Sequence, residues 1–338
     1  MNYKLNLSIS LLTALTIAGC QDHQIPSAPP QLNVTTLASN LASPISVESD
    51  GKGRVFVIEQ GTGKNDGRLS EITPDGKVYP IITGFHSEVF QGSELSGPDH
   101  ILYANGWLYI LTDKGLYTIN VAAIKTGSPA IDASTLTPEF IQQWVINHNF
   151  TNDTGESHLY NMVMGPDGAL YITDAAANAI IRRSSTGALS VMAEVPSVAN
   201  PNPAGPPPGP PFIQAVPTGI TFDGTNFRIS TLIGFPFPVG TAVIYKMDLS
   251  GNLSVYQKGF TSLVDIENDG NGQSLVLRHG VFGAMGFGAN TGQLIRANGT
   301  TSTVLLDNLN LPTDLKMSDS HTAYLTSLGN GTVSKITF

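Results

Sequence analysis

The chain of 338 residues has a net charge of −9, and only 13% of its residues are charged. An acidic chain without a basic run is not expected to bind nucleic acid, because nucleic-acid binders normally carry a basic surface. Its 35 Gly and 22 Pro favour a turn-rich β protein over helical bundles, and its 41% hydrophobic content excludes disorder of the whole chain.

The N-terminus has the pattern of a bacterial lipoprotein signal. Lys4 supplies a positive charge, and the apolar stretch after it is shorter than the about 20 residues that span a bilayer. The ending Ile17-Ala18-Gly19-Cys20 resembles a lipobox, in which the cysteine receives the lipid. Cys20 is the only cysteine of the chain, so no disulfide within a monomer competes for it. A cleaved signal with a chance cysteine is the alternative.

This resemblance implies three segments. Residues 1–19 are the signal peptide, residues 20–31 are the lipidated cysteine with a polar, Pro-rich tether, and residues 32–338 are the folded domain. Because Gln21 rather than Asp follows the cysteine, Gram-negative sorting favours the outer membrane. We expect a monomeric protein of the cell envelope that is lipid-anchored in the membrane and faces the periplasm.

From residue 32 onward the chain repeats a pattern with a period of about 50 residues. Each repeat has a tight turn followed by short β-branched or aromatic runs that predict strands. The turns are Asp50-Gly51, Asn105-Gly106, Asp167-Gly168, Asp223-Gly224, Asp269-Gly270 and Asp319-Ser320. Fourth strands are predicted at Val78–Ile82, Phe140–Val145, Leu189–Ala193, Leu253–Gln257 and Ser302–Leu306.

The sixth repeat lacks a fourth strand, whereas residues 32–37 form an unassigned strand ahead of the first repeat. Pairing of that strand with the last repeat would complete six four-stranded sheets and leave no open seam. The sequence therefore predicts an all-β fold, a six-bladed β-propeller that is closed by its N-terminal strand. A linear β-solenoid would leave the extra strand unexplained.

The first strands of the repeats share a second marker, seen in Ser43-Pro44-Ile45-Ser46-Val47, Gly97-Pro98-Asp99-His100-Ile101 and Leu311-Pro312-Thr313-Asp314-Leu315. With the loop Gly-Phe-Pro-Phe-Pro at 234–238, these spacings resemble the ScyD/ScyE family of NHL-like propellers. The resemblance covers about residues 33–338. It implies the fold and carries no activity to this chain. Sugar lactonases and a streptogramin-cleaving lyase share that architecture, which keeps an enzyme open as an alternative.

A propeller gathers the starts of its first strands and the ends of its second strands around one mouth of the central channel, where ligands usually bind. The first strands bring Ser46, His100, Asn161, Gly219, Asp265 and Asp314 to this mouth. The predicted ligand-binding residues are Glu59, Asp99, His100, Tyr160, Asn161, Asp174, Phe235, Phe237, Asp265, Arg278 and Asp314. His158 and His148 lie in an irregular segment from which they could also reach the mouth.

Acid–base chemistry is conceivable in this ring because clustered carboxylates shift one another's pKa and that of a histidine. The candidate catalytic residues are His100 as base, with Asp265 or Asp314 assisting. The structural alternative is that these polar side chains bond to the backbone of the neighbouring blade. No cofactor is predicted. Ca²⁺ held by Asp265, Asp314 and Asn161 is the alternative, disfavoured because Ser46 stands where metal-dependent lactonase propellers carry Glu.

Two loops at the mouth are rich in proline, at residues 200–217 and 234–240. Phe235 and Phe237, held on a stiff turn, are predicted to form an apolar wall for a ligand or a partner. Alternatively, the proline loop packs on the two rings and merely covers a blade edge.

The lipobox, the closed fold and the lack of a catalytic motif favour a binding or scaffold domain that engages a small molecule or a protein at the channel face. The alternative is a lactonase-like hydrolase or lyase that acts on a small cyclic ester.

Overall fold

Six antiparallel sheets are arranged as the blades of a β-propeller in the computed structural model of this chain. The structure describes residues 32–90, 94–152, 154–204 and 209–338, and residues 32–338 belong to one compact unit. The predicted signal, Cys20 and the tether lie outside the described residues, as do residues 205–208 of the proline loop. No helix within the described ranges is long and apolar enough to span a membrane.

The strands of the first half follow the predicted repeat. The closing strand is β1 (Asn33–Ala38). Blade 1 contains β2 (Pro44–Ser49), β3 (Val55–Glu59), β4 (Gly67–Ile72) and β5 (Val78–Phe85), and a hairpin of β6 (Glu88–Phe90) and β7 (Glu94–Ser96) follows it. Blade 2 contains β8 (Pro98–Ala104), β9 (Trp107–Thr112) and β10 (Gly115–Asn120). A connecting segment then holds β11 (Ile131–Asp132), the helix α1 (Ile141–Ile146) and 3₁₀ turns at Val121–Ala123 and Ala133–Thr135.

The second half is more regular. Blade 3 contains β12 (Leu159–Met164), β13 (Leu170–Asp174), β14 (Ala179–Arg183) and β15 (Leu189–Glu194), followed by a hairpin of β16 (Val198–Ala199) and β17 (Phe212–Ile213). Blade 4 contains β18 (Pro217–Phe222), β19 (Phe227–Thr231), β20 (Ala242–Met247) and β21 (Leu253–Phe260).

Blade 5 contains β22 (Leu263–Asn268), β23 (Ser274–Arg278), a hairpin of β24 (Phe282–Gly283) and β25 (Gly286–Phe287), and then β26 (Gly292–Ala297) and β27 (Ser302–Leu309). Blade 6 contains β28 (Pro312–Asp319), β29 (Thr322–Ser327) and β30 (Thr332–Thr337).

The ring is closed by the N-terminal strand, as the sequence predicts. β1 pairs antiparallel with β30, with Asn33 opposite Thr337 and Thr36 opposite Ser334, so the sheet order of blade 6 is β1-β30-β29-β28. The first and last strands of the chain therefore lie in one sheet, and every backbone bond between them helps to keep the ring shut.

The predicted fourth strand of blade 2 at Phe140–Val145 is wrong. This blade has three strands, and α1 occupies Ile141–Ile146. Ile141 and Val145 are four residues apart and both are buried, so the apolar spacing has the period of a helix rather than of a strand. Only Glu139 continues the sheet, through two backbone bonds with Leu116. The connecting segment instead adds β11 to blade 1 as a fifth, parallel strand beside β5.

The apolar core lies between neighbouring blades rather than inside any one of them. Ile58 and Leu69 of blade 1 share a buried cluster with Ile101 and Leu108 of blade 2. The innermost strands β2, β8, β12, β18, β22 and β28 contact one another in order around the channel, and β28 returns to β2. We call the end of the channel at which these six strands begin the mouth.

Removal of β1 should open the ring. Five residues of β1 are paired with β30, and backbone bonds at about 0.5–1.5 kcal/mol each predict a loss of roughly 3 kcal/mol or more. A chain that begins at Ser39 should therefore melt about 5 °C or more below one that begins at Leu32. A chain that begins at Gln21 is the control and should melt with the Leu32 chain. Equal melting temperatures for all three chains would show that β1 does not close the propeller.

Candidate functional site

The innermost strands place the predicted polar ring around the channel, and two of its carboxylates bond to neighbouring blades. Asp314 Oδ2 accepts the Ser46 hydroxyl at 2.6 Å and the Val47 amide at 2.7 Å. The Ser46 Oγ accepts in turn the Ile101 amide at 3.2 Å. One carboxylate of blade 6 thereby connects blade 1 and, through Ser46, blade 2.

Asp265 repeats this arrangement on β22, the innermost strand of the neighbouring blade 5. Its Oδ1 accepts Asn161 Nδ2 at 3.1 Å, and its Oδ2 accepts the Leu315 amide at 2.9 Å. Burial and the nearby Asp314 raise the pKa of Asp265 well above its ordinary value. At Gly219, a Cβ atom would lie 2.7 Å from Asp265 Oδ1, so only glycine fits beside this carboxylate. These contacts are those of the structural alternative, in which the polar side chains bond to other blades. A catalytic role of Asp265 and Asp314 stays a prediction.

Two positions further along the strands, a charged triad crosses the channel. Lys316 Nζ lies 3.1 Å from Glu48 Oε1 and 3.2 Å from Glu267 Oε1, so one ammonium holds carboxylates from blades 1 and 5. Burial raises the pKa of Glu48 to about 7 and also raises the pKa of Glu267. Burial alone would lower the pKa of Lys316, but the two carboxylates outweigh it and raise it.

The space left inside the channel is small. A cavity of about 50 Å³ lies among the innermost strands, bordered by Asn161, Asp265, Asp314, Glu267 and Lys316. Ligand pockets usually measure about 300–1,000 Å³. An organic ligand of ordinary size therefore does not fit inside the channel.

A histidine–aspartate pair lies at that mouth. His158 Nε2 is 3.2 Å from both carboxylate oxygens of Asp99, and no hydrogen bond to His158 Nδ1 exists among the described residues. About half of the His158 side chain is exposed, whereas Asp99 is buried. The charge of Asp99 outweighs the effect of burial and raises the pKa of His158 to about 9. At neutral pH the pair therefore presents an imidazolium to the mouth.

The backbone at His158 is held by the predicted site residue Asp174. Asp174 Oδ1 accepts the His158 amide at 2.8 Å and the Ala177 amide at 2.9 Å, while Oδ2 accepts the Ser157 hydroxyl. Asp174 is fully buried at the end of β13. It fixes where β12 begins, so it positions His158 and does not itself face the mouth.

His100 lies deeper than the sequence predicts for a base. It is buried, both of its ring nitrogens lack a hydrogen-bond partner within the described part of the chain, and its Nε2 is 3.9 Å from Asp314 Oδ1. Burial lowers the pKa of His100, which keeps the imidazole neutral. Tyr160 lies between the two histidines, with its ring centroid 4.4 Å from that of His100 and 6.0 Å from that of His158. Burial, first of all, raises the pKa of Tyr160 well above its ordinary value.

Two predicted ligand-binding residues have partners within their own blades. Glu59 is fully buried and accepts Arg68 Nε at 2.6 Å and the Ala42 amide at 2.7 Å. Arg278 Nε donates to the Thr291 carbonyl at 2.9 Å. Neither side chain contacts the His158–Asp99 pair through any bond among the described residues.

No group of three or more His, Cys, Asp or Glu side chains within the described ranges has the geometry of a metal site. The oxygens that would hold Ca²⁺ in the alternative interpretation, those of Asp265 and Asp314, accept bonds from amides and a hydroxyl instead.

Phe235 and Phe237 belong to a larger aromatic cluster than the sequence predicts. Phe237 packs on Phe282 at 4.7 Å and on Phe287 at 5.1 Å between ring centroids. We call Phe235, Phe237, Phe282 and Phe287 the aromatic platform. The two phenylalanines of blade 5 were missed at the level of sequence, although their spacing across a Gly-Ala-Met-Gly turn is typical of a hairpin.

Solved structures share this fold at low sequence identity. A protein assigned as a gluconolactonase is 12% identical, with a TM-score of 0.57 over 91% of this chain and 93% of that one. A catalytically inactive virginiamycin B lyase from Staphylococcus aureus, with quinupristin, is 15% identical, with a TM-score of 0.54 over 91% and 99%. The calcium-binding protein regucalcin from Agrobacterium tumefaciens is 14% identical, with a TM-score of 0.54 over 89% and 92%.

These likenesses show the fold alone, that of a six-bladed β-propeller. No family model matches the chain, so membership of the ScyD/ScyE family stays a prediction. No curated protein matches it either.

The channel triad predicts a pH dependence of stability. The folded state holds a proton on Glu48 up to about pH 7, whereas the unfolded chain releases it near the ordinary value of 4.5. The stabilisation is therefore present at pH 5 and is lost as the pH rises through 7, by about 2–3 kcal/mol. Between pH 5 and pH 8, denaturant unfolding should show a loss that is larger by this amount in the wild type than in Glu48→Gln, where the other buried carboxylates with raised pKa values, such as Glu267, still titrate. Parallel stability curves for the two proteins would contradict it.

Proposed function

We propose that this protein is a lipid-anchored propeller of the cell envelope that binds a small molecule at the channel mouth and hydrolyses a cyclic ester there. The His158–Asp99 pair carries the proposal. It combines a half-exposed imidazolium with a buried carboxylate, at the end of the channel where propeller ligands bind.

The pair is suited to general acid catalysis. Asp99 occupies the Nε2 side of His158, which leaves the Nδ1–H for a ligand. Water adds to the ester carbonyl and releases a proton to solvent. His158 then donates the Nδ1 proton to the ring oxygen as the acyl carbon–oxygen bond breaks, giving the hydroxy acid. His158 regains its proton from solvent, so one lactone and one water yield one hydroxy acid.

Tyr160 and His100 form the floor of this site. The neutral His100 packs on Tyr160, and the raised pKa of Tyr160 keeps its hydroxyl protonated. A protonated phenol beside His158 is a hydrogen-bond donor that suits a carbonyl oxygen. Tyr160 thus keeps the ligand-binding role predicted from the sequence, while the role of acid passes from the buried His100 to His158.

The names of two fold relatives support a cyclic ester. One is assigned as a gluconolactonase, a name that denotes action on a lactone, and another is a lyase. At 12% and 15% identity they add to the argument from His158 and Asp99 and do not replace it.

The direction of β1 is compatible with an anchor at Cys20. β28 begins at the mouth, and the strands alternate in direction across blade 6, so β1 ends at the mouth with Ala38 and begins with Asn33 at the opposite face. The described domain therefore begins on the face away from the mouth.

Binding without turnover is the second candidate. It is favoured by the carboxylates of Asp265, Asp314 and Glu59, which are all engaged by amides or by Arg68. A protein with this site would be stabilised by lactones in a melting experiment but would not consume them.

The pH profile of lactone hydrolysis tests the role of His158 as the general acid. With His158 titrating at about 9, the activity should decline as the pH rises through 9. Asp99→Asn removes the charge that raises this pKa, so the decline should move toward the ordinary value of about 6.5. His158→Gln should lower kcat/KM by roughly 10²–10⁴-fold. Acid release from a panel of γ- and δ-lactones is the measurement.

His321→Gln is the matched control for these variants. His321 lies in the turn between β28 and β29, at the end of blade 6 away from the mouth, with Nδ1 2.7 Å from Ser320 Oγ. Its loss should leave kcat/KM unchanged. Equal activity of the wild type and His158→Gln, or no turnover across the panel, would overturn the hydrolase.

Lipidation of Cys20 is tested separately. Because Cys20 is the only thiol of the chain, Cys20→Ala should abolish labelling with a palmitate analogue and release the protein from the membrane fraction. Its melting temperature should equal that of the chain that begins at Leu32. Labelling that persists in Cys20→Ala would refute the lipobox.

A further inference from the structure

The aromatic platform is an exposed apolar surface on the mouth face of the propeller. Its rings form a continuous set of contacts, with centroid distances of 6.2 Å for Phe235–Phe237, 4.7 Å for Phe237–Phe282 and 5.2 Å for Phe282–Phe287. Phe235 is 69% exposed, and Met285 at the tip of the β24–β25 hairpin is 99% exposed. Contiguous apolar surface of this kind usually marks a binding site.

The two loops that carry the platform are held by internal hydrogen bonds. In blade 4, the Phe237 amide donates to the Gly234 carbonyl at 2.9 Å, and the Gly240 amide donates to Thr261 Oγ1 at 3.0 Å. In blade 5, the Val281 amide donates to Thr291 Oγ1 at 2.8 Å. A surface that is ordered before binding loses little conformational freedom when a ligand arrives.

The platform is continuous with the channel mouth. The His279 ring packs on Phe287 at 5.0 Å, and His279 Nδ1 lies 2.9 Å from the carbonyl oxygen of Pro312. Pro312 is the first residue of β28, two positions before Asp314. His279 therefore joins the aromatic rings to the rim of the channel.

The platform lies in the blades that follow those of the acid around the rim. Its loops connect β19 to β20 and β23 to β26, in blades 4 and 5, whereas Asp99 and His158 enter blades 2 and 3. His158 and Phe235 therefore belong to neighbouring blades, 3 and 4. A molecule at the mouth can place a polar group at His158 and an apolar group on Phe235.

We propose that the aromatic platform binds the apolar side group of the cyclic ester on which His158 acts. The substrate class is then a lactone that carries an alkyl or aryl substituent, rather than a fully hydroxylated sugar lactone. This inference rests on the proposed hydrolase, because it assigns the second half of the same ligand.

A series of lactones tests the platform. For γ-lactones that range from γ-valerolactone to γ-decanolactone, the wild-type kcat/KM should rise at least tenfold with chain length, since each fully buried methylene contributes up to about fourfold. Phe235→Ser combined with Met285→Ser should remove most of this rise, with the largest loss of kcat/KM for the longest lactone. Both side chains are exposed, so the variant should fold as the wild type does.

Leu249→Ser is the matched control. Leu249 is 51% exposed in the turn between β20 and β21, at the end of blade 4 away from the mouth. Its substitution removes a comparable apolar surface and should leave the dependence on chain length intact.

A binding measurement distinguishes a failure of this inference from a failure of the proposed hydrolase. Calorimetry with the ring-opened 4-hydroxy acids of the same lactones measures affinity without turnover. If no lactone is hydrolysed but affinity rises with chain length in the wild type and not in Phe235→Ser/Met285→Ser, the hydrolase fails and the platform stands. If lactones are hydrolysed at rates that neither chain length nor this variant changes, the platform fails and the hydrolase stands.

Two further occupants are outcomes that overturn the proposal. A wild-type dimer in sedimentation that becomes a monomer in Phe235→Ser/Met285→Ser would show that a second copy covers the platform. Binding of the chain that begins at Leu32 to anionic phospholipid vesicles, lost in the same variant, would show that a bilayer covers it.

Discussion

The propeller depends on buried carboxylates that accept backbone amides from the innermost strand of the neighbouring blade. Six strands that converge on one axis leave amide groups close together where little water can reach them, and an unpaired buried amide is costly. Asp314 satisfies the amide of Val47, and Asp265 satisfies that of Leu315. These two bonds connect blade 6 to blade 1 and blade 5 to blade 6, on either side of the seam that β1 closes.

This constraint decides where chemistry can take place. Once the channel carboxylates are bonded to amides and Lys316 crosses the channel, the remaining cavity of about 50 Å³ is too small for an organic ligand. The proposed reaction therefore takes place farther out, at residues that keep one polar atom free for a ligand. Asp99 differs from Asp265 and Asp314 in that its partner is a half-exposed imidazole rather than a buried amide. Aspartate thus stabilises the fold inside the channel, whereas at the mouth it raises the pKa of a histidine.

The sequence predicted the repeat, the six blades and the closing strand because these follow from local turn chemistry. A Gly at five of the six tight turns has a positive φ, as at Gly106, and the strands follow from their β-branched runs. The prediction failed at Phe140–Val145, where no such turn marks the segment. There Ile141 and Val145 have the spacing of a helix, which places both side chains on one face against the core. A helix therefore forms in place of the predicted fourth strand.

The sequence by itself determined which residues reach the channel, because the position of Ser46, His100, Asp265 and Asp314 in each repeat is a matter of register. It could not determine their depth or their partners. That His100 is buried, that His158 pairs with Asp99, and that Phe282 and Phe287 join Phe235 all depend on contacts between different blades. Such contacts arise only when the ring forms and brings together residues as far as 59 to 104 positions apart. Period and register are local properties of a chain, whereas burial and pairing are properties of the assembled ring.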